Sequence, residues 1–223
     1  MEGSTTAAAP AKWAKPVSTT DLQPLVRMCI DGHDVWLNVG ALLCEKKAAK
    51  MCDESIPGLQ IDHVDISDLP LLNTDLETPG GGFPAAVEAF RDRVRGADCF
   101  LFASPEYNYS ISGPLKNAPD WGSRPPNVWA DRAAAIVSAS GKSGGKRMAY
   151  HVRQVGVFLD IHFVNKPEGF VQANHPHSKF NGDGDLVDPE TEEQLTKILL
   201  ALQAFALGLI HGKSATTESG QGS

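Results

Sequence analysis

The apolar residues of this chain fall into short runs, separated by polar stretches that are rich in glycine and proline. The clearest run is Cys99–Ala103, which has no alternation of apolar and polar positions, and a second run follows at 132–137. Runs this short and this uniformly apolar are typical of strands buried on both faces of a parallel sheet. We therefore predict that both segments are buried strands.

Weaker patterns complete the alternation of strands and helices. Strands are predicted at 25–30, 59–67 and 161–164, and the second of these alternates as an edge strand does. Helices are predicted at 38–54, 84–96, from 113 onward, at 150–159 and from Pro189, where the helical period is strongest. The order of elements predicts an α/β fold of the flavodoxin-like kind. Its doubly wound, five-stranded parallel sheet would lie between helices in three layers.

The limits of the domain follow from composition. Residues 1–24 are low in complexity and contain three prolines, so we predict a disordered N-terminal tail. One domain is then expected over 25–210, with a polar loop at 165–188 and a disordered tail over 211–223.

Charge and cysteine usage restrict the classes of partner. A net charge of −7 argues against nucleic acid or an anionic membrane as the main partner. No uninterrupted apolar run approaches the ~18 residues of a membrane span, so none is predicted. The four cysteines lack the spacing of metal ligands and are expected to be reduced, structural thiols. We therefore expect a cytoplasmic protein without a metal site.

Two motifs resemble parts of ligand-binding sites, but the neighbouring sequence does not contain the other residues that such sites need. Gly141-Lys142-Ser143 resembles part of a nucleotide-phosphate loop, but Ile136 stands where that loop needs glycine. A glycine loop after a buried strand can instead let the backbone approach a flat ring. His175 and His177 have no acid or cysteine at ligand spacing, which is typical of solvated side chains rather than of a metal site.

The loop after Cys99–Ala103 is polar and aromatic, and reads Ser104-Pro105-Glu106-Tyr107-Asn108-Tyr109-Ser110. Ligands of open α/β sheets bind at the carboxyl ends of strands, so this loop is a candidate grip for a planar cofactor. It is equally compatible with a plain strand-to-helix connection, because proline, asparagine and serine are common turn residues.

Together with Gly113-Pro114-Leu115-Lys116-Asn117-Ala118 and Asp120-Trp121, this loop closely resembles the signature of the NADPH-dependent FMN reductase family. The similarity extends over about residues 50–207 and is greatest to plant NAD(P)H:quinone oxidoreductases. It implies a flavodoxin-like fold that binds FMN, accepts hydride from NADPH or NADH, and reduces quinones by two electrons. It also implies a homotetramer.

The resemblance assigns flavin contacts to Pro105, Glu106, Tyr107, Asn108 and Ser138. It assigns no catalytic acid or base, because the flavin itself carries the chemistry.

Residues 25–45 diverge from the family pattern. The family holds the FMN phosphate with serines and an arginine after its first strand, and residues 30–38 contain neither. Asp31 and Asp34 stand there instead, and like charge repels a phosphate. A flavin-free structural or regulatory subunit of the same family is therefore the alternative to a reductase. Pro119 lies inside the helix predicted from Gly113, where we expect a kink or an early break.

Overall fold

The strands of the domain form one parallel sheet with helices on both faces. The computed structural model describes residues 25–31, 39–173, 178–181, 183 and 185–219. The strands are β1 (Leu25–Asp31), β2 (Leu59–Val64), β3 (Cys99–Ala103), β4 (Arg132–Ser140), β5 (Ile161–Phe163) and β6 (Gly169–Gln172). The helices are α1 (Val39–Ser55), α2 (Ala85–Gly96), α3 (Gly113–Ser123), α4 (Lys146–Leu159) and α5 (Pro189–Ser219), with a short 3-10 helix at Thr74–Leu76.

The strand order is β2-β1-β3-β4-β5, and this confirms the flavodoxin-like, doubly wound prediction. The sheet of the described residues has six strands rather than the predicted five. β5 pairs with the first residues of β4, and β6 pairs with its last residues, so both occupy the same side of β4. β6 lies inside the predicted loop 165–188. Its Gly169 packs against β4 so closely that a Cβ would stand 2.6 Å from the carbonyl oxygen of Ile136.

Alternate residues of the central strands face two separate apolar cores. Leu101 and Ala135 face α1 and α5 in one core, whereas Phe100 and Phe102 face α2, α3 and α4 in the other. All five residues of β3 are buried, which confirms the prediction from its unbroken apolar run. Helices on both faces produce the predicted three layers.

Helix α3 continues through Pro119, so the expected early break does not occur. Its carbonyl end is held by Arg91 of α2, a fully buried side chain. The Arg91 guanidinium donates to the carbonyl oxygens of Trp121 at 2.8 Å and Arg124 at 2.9 Å. Trp129 Nε1 donates to the Pro119 carbonyl oxygen at 3.2 Å. These contacts fix the turn that the proline alone would weaken.

Helix α5 is the longest element and packs its apolar face into the core. Leu195, Leu199 and Leu202 are buried at helical spacing. By length and composition its segment Pro189–Gly212 is also apolar enough to cross a membrane, although this does not establish a span. The helix continues to Ser219, so residues 211–219 are helical where a disordered tail was predicted. The predicted N-terminal tail, residues 1–24, lies outside the described residues.

Candidate functional site

Two loops lie side by side at the carboxyl edge of the sheet, because they follow neighbouring strands. The first loop, 104–112, follows β3, and the second, 141–145, follows β4. The two strands pair in parallel as far as Ala103 and Val137. The loop predicted to hold a planar cofactor and the glycine loop at 141–145 are therefore neighbours.

The first loop contains a tight hairpin. Tyr107 and Ser110 exchange two backbone hydrogen bonds, at 3.1 and 2.8 Å. Between them, Asn108 and Tyr109 both have positive φ, 47° and 67°. Two consecutive residues of this kind form a type I′ turn, in which asparagine is common and tyrosine is strained.

The second loop depends on its glycines. Gly144 and Gly145 have φ of 62° and 84°, a conformation that L side chains rarely adopt. A Cβ on Gly145 would also lie 1.6 Å from Oγ of Ser138, at the end of β4. Gly141 is exposed, and a Cβ on it would meet nothing within 4 Å. Backbone at this edge is therefore open to a ligand at Gly141 and tightly packed at Gly145.

Glu106 joins the two loops. Its side chain is only 5% exposed. One carboxylate oxygen accepts from Ser143 Oγ at 3.2 Å, and the other accepts from the backbone N–H of Arg147 at 3.0 Å. The Arg147 guanidinium also pairs with Glu106 at 3.2 Å. Because Arg147 lies in the first turn of α4, the carboxylate also stabilises the positive end of that helix.

Two further contacts attach the hairpin to α4. The Arg147 guanidinium lies over the Tyr109 ring, 4.0 Å from its centroid. Ser110 Oγ and His151 Nδ1 form a hydrogen bond of 2.7 Å. Three contacts with α4 thus hold the strained turn and the residue before it, so its geometry is set before any ligand binds.

The structure brings all five predicted flavin contacts to this edge. Pro105 and Ser138 are buried, Glu106 and Tyr107 are partly buried, and Asn108 is exposed at the tip of the turn. Their contact with a flavin stays a prediction. The Glu106 carboxylate is committed to α4, which leaves its backbone rather than its side chain to face a ligand.

Sequence reasoning missed Ser143, Arg147 and His151, because their partners lie about forty positions away in the chain. One signal was available. α4 begins with Lys146-Arg147 and has no acid in its first turn, contrary to the preference set by the helix dipole. Such a start is favourable for a carboxylate from elsewhere in the fold, and Glu106 is that carboxylate here.

The residues present fit the ring half of FMN. Ser138 Oγ is the one fully buried side-chain oxygen in the described part of the chain that has no hydrogen-bond partner. It lies beneath the glycine loop, at the end of the strand where a flat ligand is expected. Such orphaned polar atoms are uncommon in folded proteins, and a bound ligand is one partner that would satisfy this hydroxyl. The divergent residues 32–38, where the family binds the phosphate, lie outside the described residues.

Thiol and metal chemistry find no support in the described residues. Cys44, Cys52 and Cys99 are buried and form no disulfide bond, and burial raises the pKa of the Cys44 thiol to about 12. A thiol with so high a pKa supplies no thiolate near neutral pH. No cluster of three metal-ligating side chains occurs within the ranges given above. His175 and His177 lie outside them.

Comparison with known proteins gives the same picture. Residues 42–175 match the NADPH-dependent FMN reductase family. A probable NADPH:quinone oxidoreductase 2 of Oryza sativa subsp. japonica is 70% identical over 173 residues, which cover 78% of this chain and 84% of the relative. The NADPH:quinone oxidoreductase of Arabidopsis thaliana is 53% identical over 195 residues, covering 86% and 97%.

A solved structure supports the fold. FerB, a flavoenzyme NAD(P)H:(acceptor) oxidoreductase from Paracoccus denitrificans, superimposes with a TM-score of 0.68 at 24% identity. The alignment covers 84% of this chain and 98% of FerB. The matching signature, the extent of the family match and the plant relatives agree. The chain belongs to the NADPH-dependent FMN reductase family.

Proposed function

We propose that this protein is an FMN-dependent NAD(P)H:quinone oxidoreductase. NADPH or NADH would donate a hydride, and a quinone would take up two electrons and two protons to give the hydroquinone. The observation that carries the proposal is the pair of loops at the ends of β3 and β4, joined by Glu106. The plant relatives that share the loop signature are named as quinone oxidoreductases.

The chain's own residues would bind and orient the reactants. When bound, FMN supplies a ring that accepts hydride and passes electrons on. The backbone of the hairpin, from Pro105 to Asn108, and the end of β4 at Ser138 would hold that ring. Tyr109 and Tyr150 expose 67% and 54% of their surface near the same edge, where aromatic faces can stack on a flat quinone.

The homotetramer also belongs to this proposal. Val157 and Phe158, consecutive residues of α4, expose 82% and 84% of their surface. The same helix lines an apolar groove with Ile111 and Phe163. Large apolar side chains exposed side by side mark an interaction surface. A second copy of this chain is the proposed occupant, and light scattering on the purified protein measures the number of copies.

We also propose that the protein is cytoplasmic. The three cysteines with described side chains are buried and form no disulfide with one another, which suits a reducing compartment. Cell fractionation with compartment markers tests this proposal independently of activity.

Turnover is the test of function. The protein is mixed with NADPH and a short-chain benzoquinone, and NADP⁺ and hydroquinone are both measured. The proposal predicts one hydroquinone for each NADPH consumed in turnover. When the quinone and oxygen are both left out, consumption should stop at one NADPH for each bound FMN. A flavin-bearing protein that oxidises neither nucleotide would contradict it. A colourless, inactive protein would favour the alternative, a flavin-free subunit of the family.

A further inference from the structure

Two lysines differ from the other lysines with described side chains in having no anionic partner. Eight lysines have described side chains, and six of them pair with a carboxylate: Lys47, Lys50, Lys116, Lys166, Lys179 and Lys197. Lys142 and Lys146 form no ion pair and donate no side-chain hydrogen bond in the described residues. The Lys146 ammonium lies over the Phe170 ring, 5.9 Å from its centroid.

Both lysines lie beside the candidate flavin site. Lys142 belongs to the glycine loop, and Lys146 is the first residue of α4. Both are exposed, and the backbone that carries them is fixed, since Gln172 Nε2 donates to the Lys142 carbonyl oxygen at 2.7 Å. The two ammonium groups are therefore presented to solvent from a loop of defined shape.

The surrounding charge is positive in an otherwise acidic chain. No Asp or Glu occurs anywhere from Arg132 to Leu159, although the chain has a net charge of −7. The carboxylate that hydrogen-bonds to the glycine loop and the start of α4, Glu106, is already shared between Ser143 and Arg147. Its charge offsets that of Arg147 and leaves both lysines without a counter-ion.

We propose that Lys142 and Lys146 bind a phosphate of the nicotinamide dinucleotide that donates hydride. This inference rests on the proposed reductase function and names the subsite that the donor's anionic part occupies. Two ammonium groups match the charge of a phosphate monoester or of a diphosphate, and charge-assisted hydrogen bonds to phosphate are strong. The shared chemistry is the phosphate group, whether the 2′-phosphate of NADPH or the diphosphate common to both nucleotides.

The position of the lysines argues against the FMN phosphate as their ligand. The family places that phosphate after the first strand, and β3 separates β1 from β4 in the sheet. Two strand spacings amount to about 10 Å. The loop after β4 therefore lies about two strand spacings from the end of β1, after which the resemblance assigns the FMN phosphate.

The test compares Lys142→Gln/Lys146→Gln with wild type, and Lys197→Gln serves as a control with an exposed lysine of α5. We expect the double variant to raise the KM for NADPH about tenfold or more at unchanged kcat. If KM for NADH changes less than twofold, the ligand is the 2′-phosphate. If KM for NADH rises equally, the ligand is the diphosphate. The Lys197→Gln values should match wild type.

A binding readout separates this inference from catalysis. Calorimetric titration of the FMN-loaded protein with adenosine 2′,5′-bisphosphate should show binding that weakens with salt and is lost in the double variant. Unchanged KM values and unchanged binding in the double variant of an active enzyme would overturn the assignment. A loss of FMN affinity with no effect on nucleotide would also overturn it, by assigning the lysines to the flavin phosphate. A wild type inactive with both nucleotides would instead contradict the proposed function.

Discussion

The carboxylate of Glu106 accepts a hydrogen bond of 3.0 Å from the backbone N–H of Arg147. This contact ties the loop after β3 to the first turn of α4, across 41 positions of sequence. The family signature presents Glu106 as part of the flavin loop. The structure shows that its side chain serves the loop indirectly, by fixing the helix against which the hairpin rests.

Replacing Glu106 by alanine should weaken FMN binding, because the loops that would hold FMN lose the side chain that joins them. The change removes contacts to Ser143 and Arg147, and it leaves the Arg147 charge without its partner. A hydrogen bond to a charged group contributes about 1.5–3 kcal/mol, so we expect FMN affinity to fall about 10- to 100-fold. Fluorescence titration of the apoprotein with FMN measures the effect.

Two variants serve as controls: a conservative change at the same position and a change at a distant acid. Glu106→Gln keeps an acceptor oxygen and should recover part of the FMN affinity. Glu193→Gln, an exposed acid of α5, should leave it unchanged. Equal FMN affinity in Glu106→Ala and wild type would show that the carboxylate does not hold the loops in place.

Gly145→Ala should destabilise the fold, whereas Gly141→Ala should not. At Gly145 a Cβ would collide with Ser138 Oγ in a residue whose φ is 84°. At Gly141 the same atom would meet nothing within 4 Å. Steric strain and positive φ together predict a loss of about 2 kcal/mol or more for Gly145→Ala. Urea unfolding of both variants provides the comparison, and equal stabilities would refute the packed geometry of this loop.

Ser138→Ala should affect stability and ligand binding in opposite directions. In the apoprotein the Ser138 hydroxyl is buried without a partner, and removing it should leave stability unchanged or raise it by up to about 1 kcal/mol. If FMN supplies the missing partner, the same variant binds FMN more weakly. Thermal unfolding of the apoprotein and FMN titration give the two values. A clear loss of apoprotein stability would contradict the orphaned hydroxyl.

The start of α5 should be sensitive to acid. Asp188 accepts from Lys179 at 2.8 Å and from the Thr191 hydroxyl at 2.6 Å, and these contacts lower the pKa of its carboxyl to about 2. A pKa below the unfolded value of 3.8 stabilises the fold above pH 4, and that contribution is lost as pH falls toward 2.

Comparison of Asp188→Asn with wild type isolates that carboxyl. We expect the variant to be less stable by about 1–2 kcal/mol near neutral pH, since partial exposure screens the pair. The difference should shrink between pH 4 and pH 2. Urea unfolding at several pH values measures it, and a difference that is independent of pH would exclude the carboxylate as its source.

The sequence correctly predicted those strands and helices whose pattern of apolar residues follows directly from their burial. β3 was predicted at its observed limits because both faces of Cys99–Ala103 are covered. β6 was missed because its four residues become a strand only by pairing with the end of β4. The first turn of α4 was missed because Lys146 and Arg147 need the distant Glu106 beside them. Long-range contacts of this kind leave little trace in local composition.

The sequence predicted which residues form the site, but not the contacts that hold those residues in place. The signature located the loop at Pro105–Asn108 and the hydroxyl of Ser138. It gave no indication that Tyr109 is held in a strained turn under Arg147, because a side-chain stack depends on two elements being folded together. The same reason explains why the unpaired state of Lys142 and Lys146 emerged only from the assembled surface.

The central claim is that the loops after β3 and β4 hold FMN, although the family's phosphate residues are absent from 30–38. The direct measurement is the flavin content of the purified chain, before and after incubation with FMN and desalting. The account predicts a yellow protein that releases one FMN per chain on denaturation and regains it on reconstitution. A colourless protein that FMN cannot reconstitute would contradict it.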